Sequence, residues 1–255
     1  MKKVLAIILA LAMVFSFAAC GEKKEEQKQE EPKKVLKCAT NVAFPPYEYY
    51  GSDGKATGID VEILKAIAAK IGYDFELSDM EFGGIIAAVE TGKVDVGFGA
   101  ITITEDRKKS VNFTTSYATG IQSVIVPEGS AIKSVDDLYA DNVIIGVQEN
   151  TTGDIYCTDD FGDAHVLRFK AGADAVQAVL TGKASAVVID NSPAKVFVSQ
   201  NKGLTILPTA YAEEEYGFEI SYKNEALYKL VNDTLESMLK DGSVQKIIDT
   251  FIKAE

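Results

Sequence analysis

The chain has 255 residues, 47% hydrophobic and 25% charged, enough for one large or two small domains. A net charge of −12 argues against nucleic acid as a partner, and a single His with no Trp leaves little for a metal centre or a His-based triad. No metal or cofactor is expected.

Met1-Lys2-Lys3 is a short basic start, and Val4 to Ala19 is apolar except for Ser16. That run is short for a membrane span and fits a signal segment over residues 1–19. It ends in Ala18-Ala19-Cys20-Gly21, small residues before a single Cys, which resemble a bacterial lipobox. Cys20 is then the lipidated new N-terminus; the other readings are a signal peptide without lipid and an uncleaved anchor. Glu22 to Lys34 is nearly all Glu, Lys and Gln, has no apolar face and reads as a solvated tether, so residues 20–34 hold a folded body off the membrane.

The body starts with a strand over Val35 to Thr40. Asn41 to Tyr50 follows, where Pro45 and Pro46 exclude a central strand and four aromatics are available to wall a pocket. Of these, Tyr49 and Tyr50 are expected to pack beneath the loop. Ile59 to Ile71 has a helix-period apolar stripe and stops at Gly72; Tyr73 to Leu77 alternates as a strand; Ile85 to Thr91 is a second helix ended by Gly92. This alternation predicts an α/β fold with mostly parallel sheets, whose ligands bind beyond the carboxyl ends of strands.

Asp95 to Arg107, DVGFGAITITEDR, is the stretch around which the rest is organised. An apolar strand runs into Gly99, Ala100 and Thr102, then into a helix start with Thr104 as N-cap and Glu105 and Asp106 in the first turn. Arg107 faces the positive end of that helix dipole, an awkward place for a cation unless an anion sits beside it. Strand end, small residues, hydroxyl and guanidinium together suit a carboxylate. The alternative is an Arg paired with the local acids.

Ile121 to Val126 and Val143 to Val147 are further strands, and Gln148 to Asp154 a hydroxyl-rich loop in which Thr151 and Thr152 either face a ligand, cap a helix or do both. Ala88 to Val96 is echoed by Ala178 to Ala186, each a helix end, a Thr-Gly-Lys turn and a buried strand. The first echo leads to Arg107 and the second to Asp190, so two facing lobes would set a guanidinium against a carboxylate. An Asp after a strand is also often only a helix cap. Pro193 to Ser199 is a helix, Thr205 to Leu207 and Tyr216 to Ser221 are strands, and Glu225 to Phe251 is two helices divided by Gly242.

Nine pieces in order then carry a resemblance: Ala39-Thr40-Asn41 with Phe44-Pro45-Pro46-Tyr47-Glu48, Gly58-Ile59-Asp60-Val61-Glu62, Met80-Glu81-Phe82, Thr91-Gly92-Lys93-Val94-Asp95, Thr102-Ile103-Thr104-Glu105-Asp106-Arg107, Gly146-Val147-Gln148 with Thr151-Thr152, Val188-Ile189-Asp190, Glu215-Tyr216-Gly217 and Leu239-Lys240-Asp241-Gly242-Ser243. The chain resembles the family 3 extracellular solute-binding proteins, which deliver amino acids to ABC importers. The resemblance implies a type II periplasmic-binding-protein-like fold: two α/β lobes with mixed, mostly parallel sheets, joined by two hinge crossings and closing on ligand. Lobe I would be residues 35–119 and 216–255, lobe II residues 120–215.

It further implies that Arg107 grips the ligand carboxylate, with help from Ala100, Thr102 and Thr152. Asp190 takes the ammonium, with Gly99 and Thr102, and Phe44 and Phe82 sandwich the side chain. Relatives often have Asp where this chain has Asn41 and Gly where it has Asn150. Asn41 and Gln148 offer amides instead of a carboxylate, which suits a polar neutral ligand. The expected partners are a free amino acid, the permease of an ABC importer and the membrane through Cys20, with the chain itself monomeric. Some relatives on this scaffold are dehydratases of cyclic carboxylates, which is the enzymatic alternative. A sensor domain is less apt, because no apolar span follows the body. His165, in an Asp-rich segment without a nucleophile, reads as a surface residue, and Cys38 and Cys157 as unpaired.

Overall fold

The computed structural model describes residues 33–252. The expectations for the signal segment, for Cys20 and for the tether up to Pro32 lie outside the described residues. In chain order the elements are β1 (Val35–Thr40), β2 (Tyr49–Tyr50), β3 (Ala56–Thr57), α1 (Ile59–Ile71), β4 (Asp74–Asp79), α2 (Ile85–Thr91), β5 (Val96–Gly97), β6 (Val111–Phe113) and β7 (Ala118–Pro127). There follow β8 (Ile145–Gln148), α3 (Thr152–Phe161), β9 (Val166–Phe169), α4 (Gly172–Leu180), β10 (Ala186–Asp190), α5 (Asn191–Gln200), β11 (Leu204–Ile206), β12 (Ala212–Tyr216), β13 (Glu219–Ser221), α6 (Glu225–Lys240) and α7 (Ser243–Phe251).

Two mixed sheets organise these elements. The first has the order β4-β1-β5-β13-β6; the second has the order β11-β7-β10-β8-β9, with β12 also paired to β7. Pairing is parallel for β1 with β4 and β5, and for β8 with β9 and β10. It is antiparallel wherever β7, β11, β12 or β13 is involved. The antiparallel share exceeds what helix–strand alternation alone predicts. β7 and β13 each enter just after the chain has passed from one sheet to the other, so no right-handed crossover fixes their direction, and β11 and β12 then pair with β7.

Both sheets are covered on both faces, which is why their strands read as unbroken apolar runs. Along β10, Ala186 and Val188 pack with Val124, Val147 and Cys157 on one face, while Val187 and Ile189 pack with Val176, Val179 and Phe197 on the other. In the first sheet, Leu36, Cys38 and Ile220 meet the buried stripe of α1 (Ile63, Leu64, Ile67) and of α6 (Val231, Leu235, Met238). Its opposite face, with Ala39 and Val111, packs on Ile85 and Val89 of α2. Cys38 and Cys157 are both buried and unpaired.

The Pro-stiffened loop is anchored on α1. The Ile59 and Asp60 amides, free at a helix start, donate to the Pro46 and Tyr47 carbonyls at 3.0 and 3.1 Å. Gly58 makes this approach possible: its φ is 129°, and a Cβ there would lie 2.2 Å from the Tyr47 oxygen. Gly58→Ala is therefore expected to cost about 3 kcal/mol or more of stability, the sum of backbone strain and a broken dock. Urea unfolding would read it, and a cost within 0.5 kcal/mol (~a tenth of a typical domain's stability) would refute it.

Three local expectations are corrected. Arg107 does not open an α-helix: Arg107–Lys109 is a single 3₁₀ turn, with Thr104 Oγ1 accepting the Arg107 amide at 3.2 Å, so no dipole of any length faces the guanidinium. Glu105 and Asp106 pair with Lys108 and Lys109, not with Arg107. Tyr50 does not pack beneath its loop; it is exposed on β2 and donates to Asp79 at 2.9 Å, because the β2–β3 hairpin turns it outward.

Candidate functional site

A small cavity of about 30 Å³ lies where the two sheets' loops meet. All eleven residues singled out from the sequence as ligand-facing line it: Asn41, Phe44, Phe82, Gly99, Ala100, Thr102, Arg107, Gln148, Thr151, Thr152 and Asp190. Glu48, Gln122 and Tyr216 line it as well and were missed.

Arg107 is buried, yet among the described residues it has no carboxylate within ion-pair distance. Nη1 donates to the Thr102 carbonyl at 2.8 Å and Nη2 to the Asn150 carbonyl at 3.3 Å, and the guanidinium lies 5.6 Å from the Phe82 ring centre. Two carbonyls and an aromatic face fix the plane of the fork while leaving N–H donors unused. Burial pushes the Arg107 pKa down, and the more distant Glu219 and Glu214 oppose that shift. A buried cation held this way is an incomplete pair that an incoming anion completes.

Asp190 ends β10 and caps α5: Oδ1 accepts the Ser192 amide at 2.9 Å, and Oδ2 accepts from the Tyr216 hydroxyl. The capping role and the cavity-facing role are therefore held by one side chain. Burial raises its pKa to about 6, against the hydrogen bond from Tyr216. Tyr216 comes from β12, whose register sets it opposite Ala118 at the start of β7, where the chain passes between the sheets. A lone aromatic in an acidic strand gave no signal of that position. Gln122 is paired in register with Asp190 and donates to Glu214 at 2.9 Å.

Gly99 and Ala100 owe their place to Asp60, in the first turn of α1. One Asp60 oxygen accepts from the Gly99 amide at 3.2 Å, the Ala100 amide at 2.8 Å and the Tyr117 hydroxyl at 2.7 Å. Burial lifts the Asp60 pKa to about 7 even so. Glu48 is fully buried with Oε2 unpartnered; burial first, then Asp60 and Asp190, push its pKa well up.

Four contacts join loops of the two sheets around the cavity. Thr102 and Thr152 hydroxyls lie 3.3 Å apart, Arg107 reaches the Asn150 carbonyl, and Gln148 Nε2 donates to Asn41 Oδ1 at 3.0 Å. On the rim Lys170 bridges Glu81 and Glu149 at 3.1 and 2.7 Å. Thr151 caps α3 by accepting the Asp154 amide at 3.3 Å, so capping and cavity lining coincide there too. Asn150 has φ of 66°, a left-handed position that Asn tolerates and Gly adopts freely, which accounts for either residue at this turn. His165 does not line the cavity; Nδ1 lies 2.9 Å from the Val143 carbonyl.

Residues 36–254 match the profile of the bacterial extracellular solute-binding proteins, family 3. The chain belongs to this family. As a family member it is 30% identical to the arginine-binding extracellular protein ArtP of Bacillus subtilis, over 97% of this chain and 96% of that protein. It is 29% identical to the ABC transporter glutamine-binding protein GlnH of the same organism, over 100% and 99%. Among solved structures, an ancestral arginine-binding protein bound to glutamine superimposes with a TM-score of 0.82 at 34% identity, covering 88% of this chain and 100% of that one. These neighbours are two-lobed α/β proteins, the architecture built here around the two sheets.

Proposed function

We propose that this solute-binding protein captures one free amino acid in the cavity, outside the cytoplasmic membrane, and hands it to an ABC importer without chemical change. The observation that carries the reading is that Arg107 and Asp190, opposite charges each without a counter-ion among the described residues, line one cavity. Arg107 binds the α-carboxylate through its unused N–H donors, with the Thr152 end of α3 alongside. Asp190 takes the α-ammonium, with the Gly99 carbonyl and Thr102 hydroxyl; Phe44 and Phe82 flank the side chain. In this reading residues 35–119 and 216–255 form one lobe, residues 120–215 the other, and the lobes part to admit ligand. Cys20 carries a lipid anchor, residues 20–34 are the tether, and the chain works as a monomer.

Calorimetry against the twenty amino acids and cystine, on protein unfolded and refolded to remove carried-over ligand, tests the capture. One tight binder is the expected result; silence across the panel refutes it. Binding should also depend on pH with a stated sign. The ammonium needs an ionised Asp190, and burial raises its pKa to about 6. Affinity is therefore flat above pH 6 and falls up to about tenfold per unit below it. A Kd constant from pH 7.5 to 5 would contradict that role.

A further inference from the structure

The Asn41–Gln148 contact does more than join two loops. Gln148 Nε2 donates to Asn41 Oδ1 at 3.0 Å and to the Lys170 carbonyl at 3.2 Å, so both its N–H groups are in use. A backbone carbonyl only accepts, so the Lys170 contact fixes which way the Gln148 amide points. That in turn fixes Asn41, whose oxygen must meet the Gln148 nitrogen. Neither amide orientation is free to flip.

What remains is one acceptor, Gln148 Oε1, and one two-proton donor, Asn41 Nδ2. Neither has a hydrogen-bond partner among the described residues, and both residues line the cavity. The Lys170 ammonium is held between Glu81 and Glu149, and burial, with the charges of Asp60 and Asp190, pushes the Glu48 pKa well up.

We infer that this end of the cavity is built for a primary carboxamide, so that the amino acid captured is glutamine or asparagine. The ligand carbonyl accepts from Asn41 Nδ2, and the ligand NH₂ donates to Gln148 Oε1. A carboxylate side chain would face Gln148 Oε1 with an acceptor. A guanidinium or ammonium would face Asn41 Nδ2 with a donor. Each mismatch leaves a buried polar group unpaired. The inference rests on the amino-acid reading above.

The test is a comparison of glutamine, asparagine, glutamate, arginine, lysine and histidine by calorimetry, on the protein as purified and refolded and on Asn41→Asp. Glutamine or asparagine should bind about a hundredfold tighter than glutamate, arginine, lysine or histidine. Asn41→Asp, which removes the donor and adds a negative charge, should weaken carboxamide binding more than tenfold and strengthen arginine or lysine binding. A wild-type preference for arginine, lysine, histidine or glutamate overturns the carboxamide assignment and leaves amino-acid capture standing. So does unchanged glutamine affinity in a folded Asn41→Asp. Binding of none of the six, nor of the remaining amino acids, overturns both.

Discussion

Replacing Arg107 with Ala is expected to weaken ligand binding by about a thousandfold while the empty protein keeps its fold. Truncating one member of a buried, hydrogen-bonded charge pair costs about 2–5 kcal/mol, because the ligand carboxylate is left desolvated and unpaired. The empty protein loses two bonds, to the Thr102 and Asn150 carbonyls, but is relieved of a buried cation with no counter-ion. Its midpoint should therefore move by only a few degrees. The ligand-induced rise in melting temperature should vanish in the same variant. Arg107→Lys should fall between: the charge remains, but a point ammonium cannot hold two carbonyls and a planar carboxylate at once. Calorimetry on the three proteins decides it, and an Arg107→Ala Kd within threefold of wild type would remove Arg107 from the site.

The second large effect is at Glu219, on β13. It is fully buried, and neither carboxyl oxygen has a hydrogen-bond partner. It lies over Gly97, where a Cβ would come within 2.8 Å of Oε2 and 2.7 Å of Ile85 on α2; only a residue without a side chain leaves room for the carboxyl. Burial raises its pKa from 4.5 to about 8, partly offset by the field of Arg107. In the unfolded chain the proton leaves at the ordinary carboxylate pH; in the folded chain it stays until about pH 8. Between those values the folded state binds the extra proton. Stability from this group is therefore complete in acid and lost as pH rises, at about 1.4 kcal/mol per unit.

Glu219→Met, apolar and of similar length, removes that dependence. The variant should exceed wild type at pH 8 by roughly 4 kcal/mol more than it does at pH 5. Denaturant unfolding at several pH values measures the difference, which isolates Glu219 from Asp60, Asp190 and Glu48, all shifted in the same direction. Parallel profiles for the two proteins would refute it.

Much of this was legible in the sequence because it rests on local periodicity. The Thr-Gly-Lys echo is a case: the Lys93 and Lys183 amides close the ends of α2 and α4 on the Ala88 and Ala178 carbonyls at 2.9 and 2.8 Å, and each turn leads into a central strand. Arg107 was found the same way in the stretch that follows β5, and Asp190 at the end of β10. Other features depend on what the chain brings together over long separations. Asp60 reads as an ordinary first-turn acid, and nothing near it announces that it holds Gly99 and Ala100 some forty residues on. Tyr216, Gln122 and Glu48 were missed for that reason, and so was the consumption of half of each amide in the Asn41–Gln148 contact. The Arg107 helix was misjudged because Thr-x-Asp-Arg suits a cap, while the strand following at Val111 leaves space for one turn only.

The two sealed thiols give the molecule its own clock. Cys38, on β1, sits in the core of the first sheet and Cys157, on α3, in that of the second, and burial raises both pKa values, the latter to about 12, so a reagent that needs thiolate waits for each core to open. Timed alkylation followed by peptide mapping would thus record two separate opening rates from one unmodified chain. Their ratio reports whether the halves breathe independently or as one cooperative body.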